Sequence, residues 1–336
     1  MSVLVSDQRS PGTSGPRHLN PVTDLRAVAD LIEEAFADEL DQDSRQFLRE
    51  LRQLSGLSPL LWMLKHLSVG FEDIINGFVW EENGEVVGNI SVNRMGPVHA
   101  KWRISNVAVK PAYRNRGIGR LLVQTALDHV KGKGGTVAHL QVRDDNVPAL
   151  RLYERFGFRH ITAETEMVSA SAPSEIPEPA FALRLRPLRP GEQYEVCRLV
   201  RAATPPGHRQ LNPIHEADFE TDWLQNLIDA VTTVTSGRKT YRLVAEGETG
   251  MSAYVQIVTA GWGKGAHRIN LHIHPLQPKE VQQAVVHAAL KMLRRHRDAD
   301  TEVKLHASKH HEIEALESLG FHKRRTLVTM ELHLDE

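Results

Sequence analysis

Between Ile104 and Gly119 the chain reads ISNVAVKPAYRNRGIG, and Arg114, Asn115, Arg116, Gly117, Ile118, Gly119 and Arg120 combine positive charge with glycine-exposed backbone, which is what anion binding requires. Ile104, Asn106 and Ala108 alternate with Ser105, Val107 and Val109 until Lys110-Pro111, the pattern of a half-buried strand running into a loop. Beyond the loop, Leu121, Leu122, Ala126 and Val130 recur at helical spacing up to Lys131-Gly132, which puts the two glycines on the first turn of a helix. There, unpaired N–H groups and a partial positive charge favour a phosphate, and glycine lets it approach the backbone. A dinucleotide fingerprint would need a glycine where Leu122 stands, and no GxxxxGK[ST] occurs, so neither of those phosphate loops is supported.

Downstream, Thr136–Arg143 reads as a strand, and Asp144–Phe158 as a helix that stops at Gly157. R-x-x-G-x-G after a V-x-V strand, followed by N-x-x-A-x-x-L-Y-x-x-x-G-F from Asn146 to Phe158, resembles the two signatures of the Gcn5-related N-acetyltransferase (GNAT) superfamily. The resemblance implies an α/β fold with a mixed sheet and acetyl-CoA as cosubstrate. Arg114–Arg120 would hold the pyrophosphate, and the backbone of Val107, Ala108 and Val109 would pair with the pantetheine arm, which Asn146 would also bond. Tyr153 would be the general acid that protonates the departing thiolate. A primary amine would attack the thioester directly, so it must first be neutral. The bland reading of Tyr153 is a helix tyrosine packed on the sheet.

The strand TVAHLQVR is similar to the LEVRxxN strand of ribosomal-protein alanine acetyltransferases, but Gln141 stands where they carry Glu, and Gln accepts no proton. His139, on the same strand face and titrating in a useful range, is the possible base; Glu72, Asp73, Asp144 or a water chain are the alternatives. The acceptor would be a small-molecule amine or a peptide N-terminus. A non-catalytic acyl-CoA-binding protein is the competing class, and transfer to an amino-sugar conjugate, as in mycothiol synthase, is a third reading.

Composition limits the rest. The 336 residues allow two domains, and a net charge of −1 gives no electrostatic reason to expect nucleic acid or an anionic membrane. Cys197 is the sole cysteine, no apolar run approaches a bilayer span, and the first residues lack a signal-peptide pattern, so a cytoplasmic location is expected. Residues 1–17 read as a disordered tail, 18–168 as the catalytic domain, 169–180 (rich in Pro, Ser and Ala) as a linker and 181–336 as a degenerate second copy. The second half repeats the plan of the first: Gly157 and Gly320 lie 163 positions apart, and Pro111 and Pro275 lie 164 apart. In it, Lys309 takes the place of Asn146, Leu316 that of Tyr153, and LQPKE that of the glycine loop. His272, His274 and His306 invite a zinc reading, but no Cys or capping carboxylate completes the set, so no metal is expected.

Overall fold

The computed structural model describes residues 14–37, 45, 48–49, 51–52, 76–95, 100–171, 173, 175–177, 183–220, 223–247, 250–262, 265–296 and 298–334. The chain divides into two compact units. The first holds Met1–Gln141, Pro148–Arg159 and Thr329–Glu336; the second holds Val142–Val147 and His160–Val328.

In the first unit, β1 (Gly15–His18), β2 (Gly77–Glu82), β3 (Glu85–Arg94) and β4 (Lys101–Val109) are successive antiparallel neighbours, and β5 (Val137–Arg143) lies parallel to β4. Asn83 and Gly84, at φ 51° and 84°, close the β2–β3 hairpin as the Asn-Gly pair requires. Helix α1 (Leu25–Ala35) buries Leu25, Val28, Ala29 and Ile32 against Val79 and Val86. Helix α2 (Ile118–Gly132) buries Ile118, Leu122, Val123, Ala126, Leu127 and Val130, whereas Leu121 is exposed. After β5 comes α3 (Val147–Arg155), and its glycine stop is real: Gly157 has φ 90° and Phe158 N–H donates to the Tyr153 carbonyl.

One expectation changes here. The expected tail ends early, because Gly15–His18 pair with Phe78–Glu81, and Arg17 bridges Glu81 and Asp24, each at 2.6 Å. That partner strand lies some sixty residues downstream, beyond the reach of a local pattern. Asp24 is not a side-chain cap of α1; its carboxylate takes Arg17 and the Asn20 N–H instead. Apolar periodicity predicts a helix over Ser44–Leu54, which falls partly outside the described residues, and Leu60–Leu67, apolar nearly all round, falls wholly outside them.

The second unit repeats the order. β7 (Leu185–Pro187), β8 (Thr240–Gly247), β9 (Gly250–Val258) and β10 (His267–Ile273) are antiparallel neighbours, β11 (Thr301–His306) is parallel to β10, and β6 (Arg159–Ser169) follows antiparallel. Helices α4 (Gln193–Ala203), α5 (Pro206–Leu211), α6 (Trp223–Ser236), α7 (Lys279–Leu293) and α8 (His310–Ser318) complete it, with β12 (His322–His333) closing the chain. One core joins Met167, Val255, Ile257 and Ile269 to Val285, Leu290 and Leu316, and Ile176, from the expected linker, is buried in it. The unit boundaries do not follow that linker. Residues 164–169 pair with β11 inside the second unit, while Leu334 N–H donates to the Thr136 carbonyl inside the first.

Candidate acyl-CoA site

The parallel pairing of β4 with β5 runs from Lys101↔Val137 to Ile104↔Leu140 and stops there, while β4 continues to Val109 without a β5 partner. A bulge follows at once. Asn106 sits at φ 51°, and the β3 register skips between Asn89 and Ser91. Asparagine tolerates this left-handed backbone through its short polar side chain. Side chains hold the bulge: Asn89 Nδ2 donates to the Asn106 carbonyl at 3.0 Å and Asn106 Nδ2 donates to Ser91 Oγ at 3.1 Å. Val107 and Val109 are half-buried along this stretch, and Ala108 is buried.

A turn at Pro111–Tyr113 leads from β4 to α2. Asn115 at φ 63° and Gly117 at φ 81° bend the chain so that α2 starts at Ile118, and Leu121 N–H closes the first helical bond, on the Gly117 carbonyl. Helix geometry leaves the amides of Ile118, Gly119 and Arg120 without intrahelical acceptors. A Cβ on Gly117 would enter open space, and one on Gly119 would sit 3.9 Å from Val109 and Leu152 side chains. No atom therefore crowds the outer side of the turn at Gly117, and only the Val109 and Leu152 side chains come near Gly119. Ile118 anchors the turn in the core, while Arg114, Asn115, Arg116 and Arg120 are exposed around it. Arg114 Nε donates to the Val109 carbonyl at 3.1 Å, and Arg116 lies 4.9 Å over the Tyr113 ring while donating to the Ala112 carbonyl. A diphosphate fits this set of donors.

Tyr153, on α3, is 5 % exposed, with its ring edge-on to Phe158 at 5.9 Å. Burial raises the phenol above its ordinary pKa, so it stays protonated at neutral pH. Its neighbour Leu152 is the side chain that approaches Gly119, which sets α3 beside the loop. Asn146 is exposed just before α3, and its N–H donates to the Arg143 carbonyl.

His139 is buried on β5, opposite Arg103 of β4, where the two strands are still paired. Burial, opposed by Glu331, lowers its pKa and holds the imidazole neutral. Glu331 Oε2 lies 3.5 Å from Nε2, and neither ring nitrogen has a hydrogen-bond partner among the described residues. Glu331 in turn contacts His333 at 2.9 Å. Sequence reasoning missed Glu331, since nothing local ties a carboxylate near the C-terminus to His139. Gln141 is exposed and donates to Thr329 Oγ1 at 3.3 Å, and Asp144 is paired with Lys323 at 3.0 Å. Glu72 and Asp73 lie outside the described residues.

In the second unit β10 and β11 also part, after Asn270↔Lys304. The matching positions there are filled differently. Lys309 and Glu312, at the places of Asn146 and Ala149, form a 3.5 Å ion pair with both side chains largely buried. Helix α7 starts behind Pro278 with Glu280 in its first turn, so a carboxylate stands where an anion would dock. His272, His274 and His306 do not assemble into a metal site; among the described residues no three His, Cys, Asp or Glu side chains do. No helix among the described residues is long and apolar enough to cross a membrane.

Residues 32–158 match the model of the Acetyltransferase (GNAT) family. The N-alpha-acetyltransferase RimI of Mycobacterium tuberculosis is 38 % identical over 79 residues, covering 23 % of this chain and 48 % of its own. A mycothiol acetyltransferase of Streptomyces bingchenggensis is 37 % identical over 94 residues, 27 % of this chain and 29 % of its own. The chain thus spans less than half the length of these relatives. Among solved structures, a GCN5-related N-acetyltransferase from Sphaerobacter thermophilus aligns with a TM-score of 0.61 at 16 % identity, over 96 % of both chains. A tandem GNAT protein from the clavulanic acid biosynthesis pathway aligns at 0.53 and 16 % identity, over 96 % of this chain and 99 % of its own. These two likenesses extend across both units and concern the fold. The parted strands and the glycine-led helix thus lie within residues 32–158, the segment that matches the GNAT family model.

Proposed function

We propose that the first unit transfers an acetyl group from acetyl-CoA to a primary amine, and that the second unit does not bind the cosubstrate. The observation that carries this reading is the coincidence of the parted β4–β5 pair, the open turn at Gly117–Gly119 and a buried, protonated Tyr153 on the helix beside it. The diphosphate would rest on the amides of Ile118–Arg120 with Arg114, Arg116 and Arg120 around it. The pantetheine arm would run along Val107–Val109 as an added strand. A backbone N–H on this stretch would hold the oxyanion as the amine attacks the thioester carbonyl. Tyr153 would then give its proton to the leaving thiolate.

The amine must lose a proton, and we assign its acceptance to His139, held neutral by burial. Glu331, at 3.5 Å, would stabilise the resulting imidazolium. The acceptor class follows from this need for a base: an amine protonated at neutral pH, such as an alkylamine, an amino-sugar conjugate or a peptide N-terminus. The similar proteins are, by their names, an N-alpha-acetyltransferase and a mycothiol acetyltransferase, which makes alpha-amines and amino-sugar conjugates the first acceptors to try. Release of CoA thiol from acetyl-CoA by the purified chain, measured against a panel of amines, amino sugars and peptides, tests the reading. Saturable thiol release with one acceptor class, lost in Gly117→Glu, supports it. Tight acetyl-CoA binding with no transfer to any amine would instead favour an acyl-CoA-binding protein.

A further inference from the structure

Buried polar groups without partners collect at one place in the first unit. Among the described residues, Asn89 Oδ1, Ser105 Oγ and both ring nitrogens of His139 are buried and make no hydrogen bond. Each such orphan costs the fold stability, and folded chains leave few of them. Three side chains in one neighbourhood therefore mark a spot where the partner comes from outside the chain.

The sheet turns all three to one side. Ser91 of β3 lies opposite Ser105 of β4, Asn93 opposite Arg103, and Arg103 opposite His139 of β5. Opposed residues share a face, and every second residue of a strand returns to it, so Asn89, Ser105 and His139 lie on the same face. It is the face turned away from α2, because Gly88, next to Asn89, meets Ile118 and Leu122 of that helix on the other. Ser105 is also the first β4 residue beyond the last β4–β5 pair, Ile104↔Leu140, and so stands in the fork of the parted strands. Asn89 reaches the same fork. Its Nδ2 donates to the Asn106 carbonyl at 3.0 Å, which fixes the carboxamide and leaves Oδ1 unused. Gln141, on the same face of β5, is exposed, so the face opens to solvent there.

Resting on the acetyl transfer proposed above, we infer that this fork seats the acceptor through Asn89 and Ser105. The acceptor carries an oxygen on the carbon next to its amine, as an amino alcohol or an α-amino carbonyl does. The orphan groups specify that chemistry. Asn89 Oδ1 can only accept, and takes an amine N–H; His139 takes the proton; the Ser105 hydroxyl has a hydrogen to give. A plain alkylamine has no lone pair to spare while its own attacks the thioester, so it would cover the Ser105 O–H and leave it unmade. A hydroxyl or carbonyl oxygen beside the amine supplies that lone pair.

The test compares the full chain with Ser105→Ala, which removes the hydroxyl, and Ser105→Thr, which keeps it. Two matched pairs of amines serve as probes: glucosamine against cyclohexylamine, and alaninamide against isopropylamine. Binding is read by NMR of the Asn89 side-chain amide, and transfer by release of CoA thiol. In at least one pair the oxygen-bearing amine should react with a kcat/KM about tenfold or more above its partner's. Ser105→Ala should erase that preference, chiefly through the acceptor KM, and Ser105→Thr should restore it. Acetyl-CoA affinity should stay the same in Ser105→Ala, and its unfolding midpoint should be equal or higher, since an orphan hydroxyl has gone. No preference within either pair, no saturable shift of the Asn89 amide by either oxygen-bearing amine, or a loss in Ser105→Ala that falls equally on both members of a pair would overturn the inference. The last of these is what a hydroxyl serving the thioester oxygen would give, and it would leave acetyl transfer in place. Ser105-dependent binding of the oxygen-bearing amines without thiol release would instead sink the transferase reading and uphold the seat.

Discussion

At the scale of single residues, Tyr153 and His139 are both buried, and burial acts on them in useful directions. A phenol pushed up in pKa is fully protonated at neutral pH, so it can hydrogen-bond the departing thiolate and donate toward it even though the thiol is the stronger acid of the two. Tyr153→Phe should therefore lower turnover about 10²–10⁴-fold while acetyl-CoA affinity, measured by calorimetry, changes little. An imidazole pushed down stays neutral and can accept. His139→Gln should reduce turnover most near neutral pH and less at high pH, where the amine arrives unprotonated; a uniform loss across the pH profile would assign His139 a structural role. His272, in the second unit, offers a purely physical check. Burial, then Lys309 and His208, push it down to about 4. Its unfolded form takes up protons near pH 6.5 while the folded form does not, so stability must fall as pH drops from about 6.5 toward 4. Denaturant unfolding at pH 7 and pH 4.5 should differ less in His272→Gln than in the parent chain.

At the scale of elements, the site depends on two places where the backbone is bent into the left-handed region. Asn106 makes the bulge that shifts the β3–β4 register, and Asn89 and Ser91 hold it by their side chains. A β-branched residue there would be strained, so Asn106→Val should cost about 1–3 kcal/mol in denaturant unfolding and weaken acetyl-CoA binding, with Asn106→Gly milder in both. Gly117, at φ 81°, opens α2. Gly117→Glu adds strain and a negative charge at the helix N-terminus, and it should cost more than tenfold in acetyl-CoA affinity by calorimetry.

For the whole molecule, two units share one strand order, with antiparallel neighbours around a single parallel pair. Only one keeps glycine at the helix start. The other has Pro278 and Glu280 there and a buried Lys309–Glu312 pair at the positions of Asn146 and Ala149. Titration with acetyl-CoA should accordingly reach one site per chain. Two equal sites would contradict the proposed loss of cosubstrate binding by the second unit.

Much of this was legible in the sequence, because it is local. The Asn-Gly hairpin, the strand-to-helix loop at Arg114–Gly119, the helix from Asn146 to its glycine stop and the duplicated spacing each rest on turn chemistry or periodicity within a few residues. What tertiary structure alone decided involves residues far apart in the chain. β1 forms because Gly15–His18 meet Phe78–Glu81. His139 faces Glu331, nearly two hundred residues downstream, and the bulge at Asn106 needs Asn89 and Ser91 on the next strand. Period and propensity carry no record of which strands become neighbours. Burial, and with it the protonation of Tyr153 and His139, is set only when those neighbours exclude water.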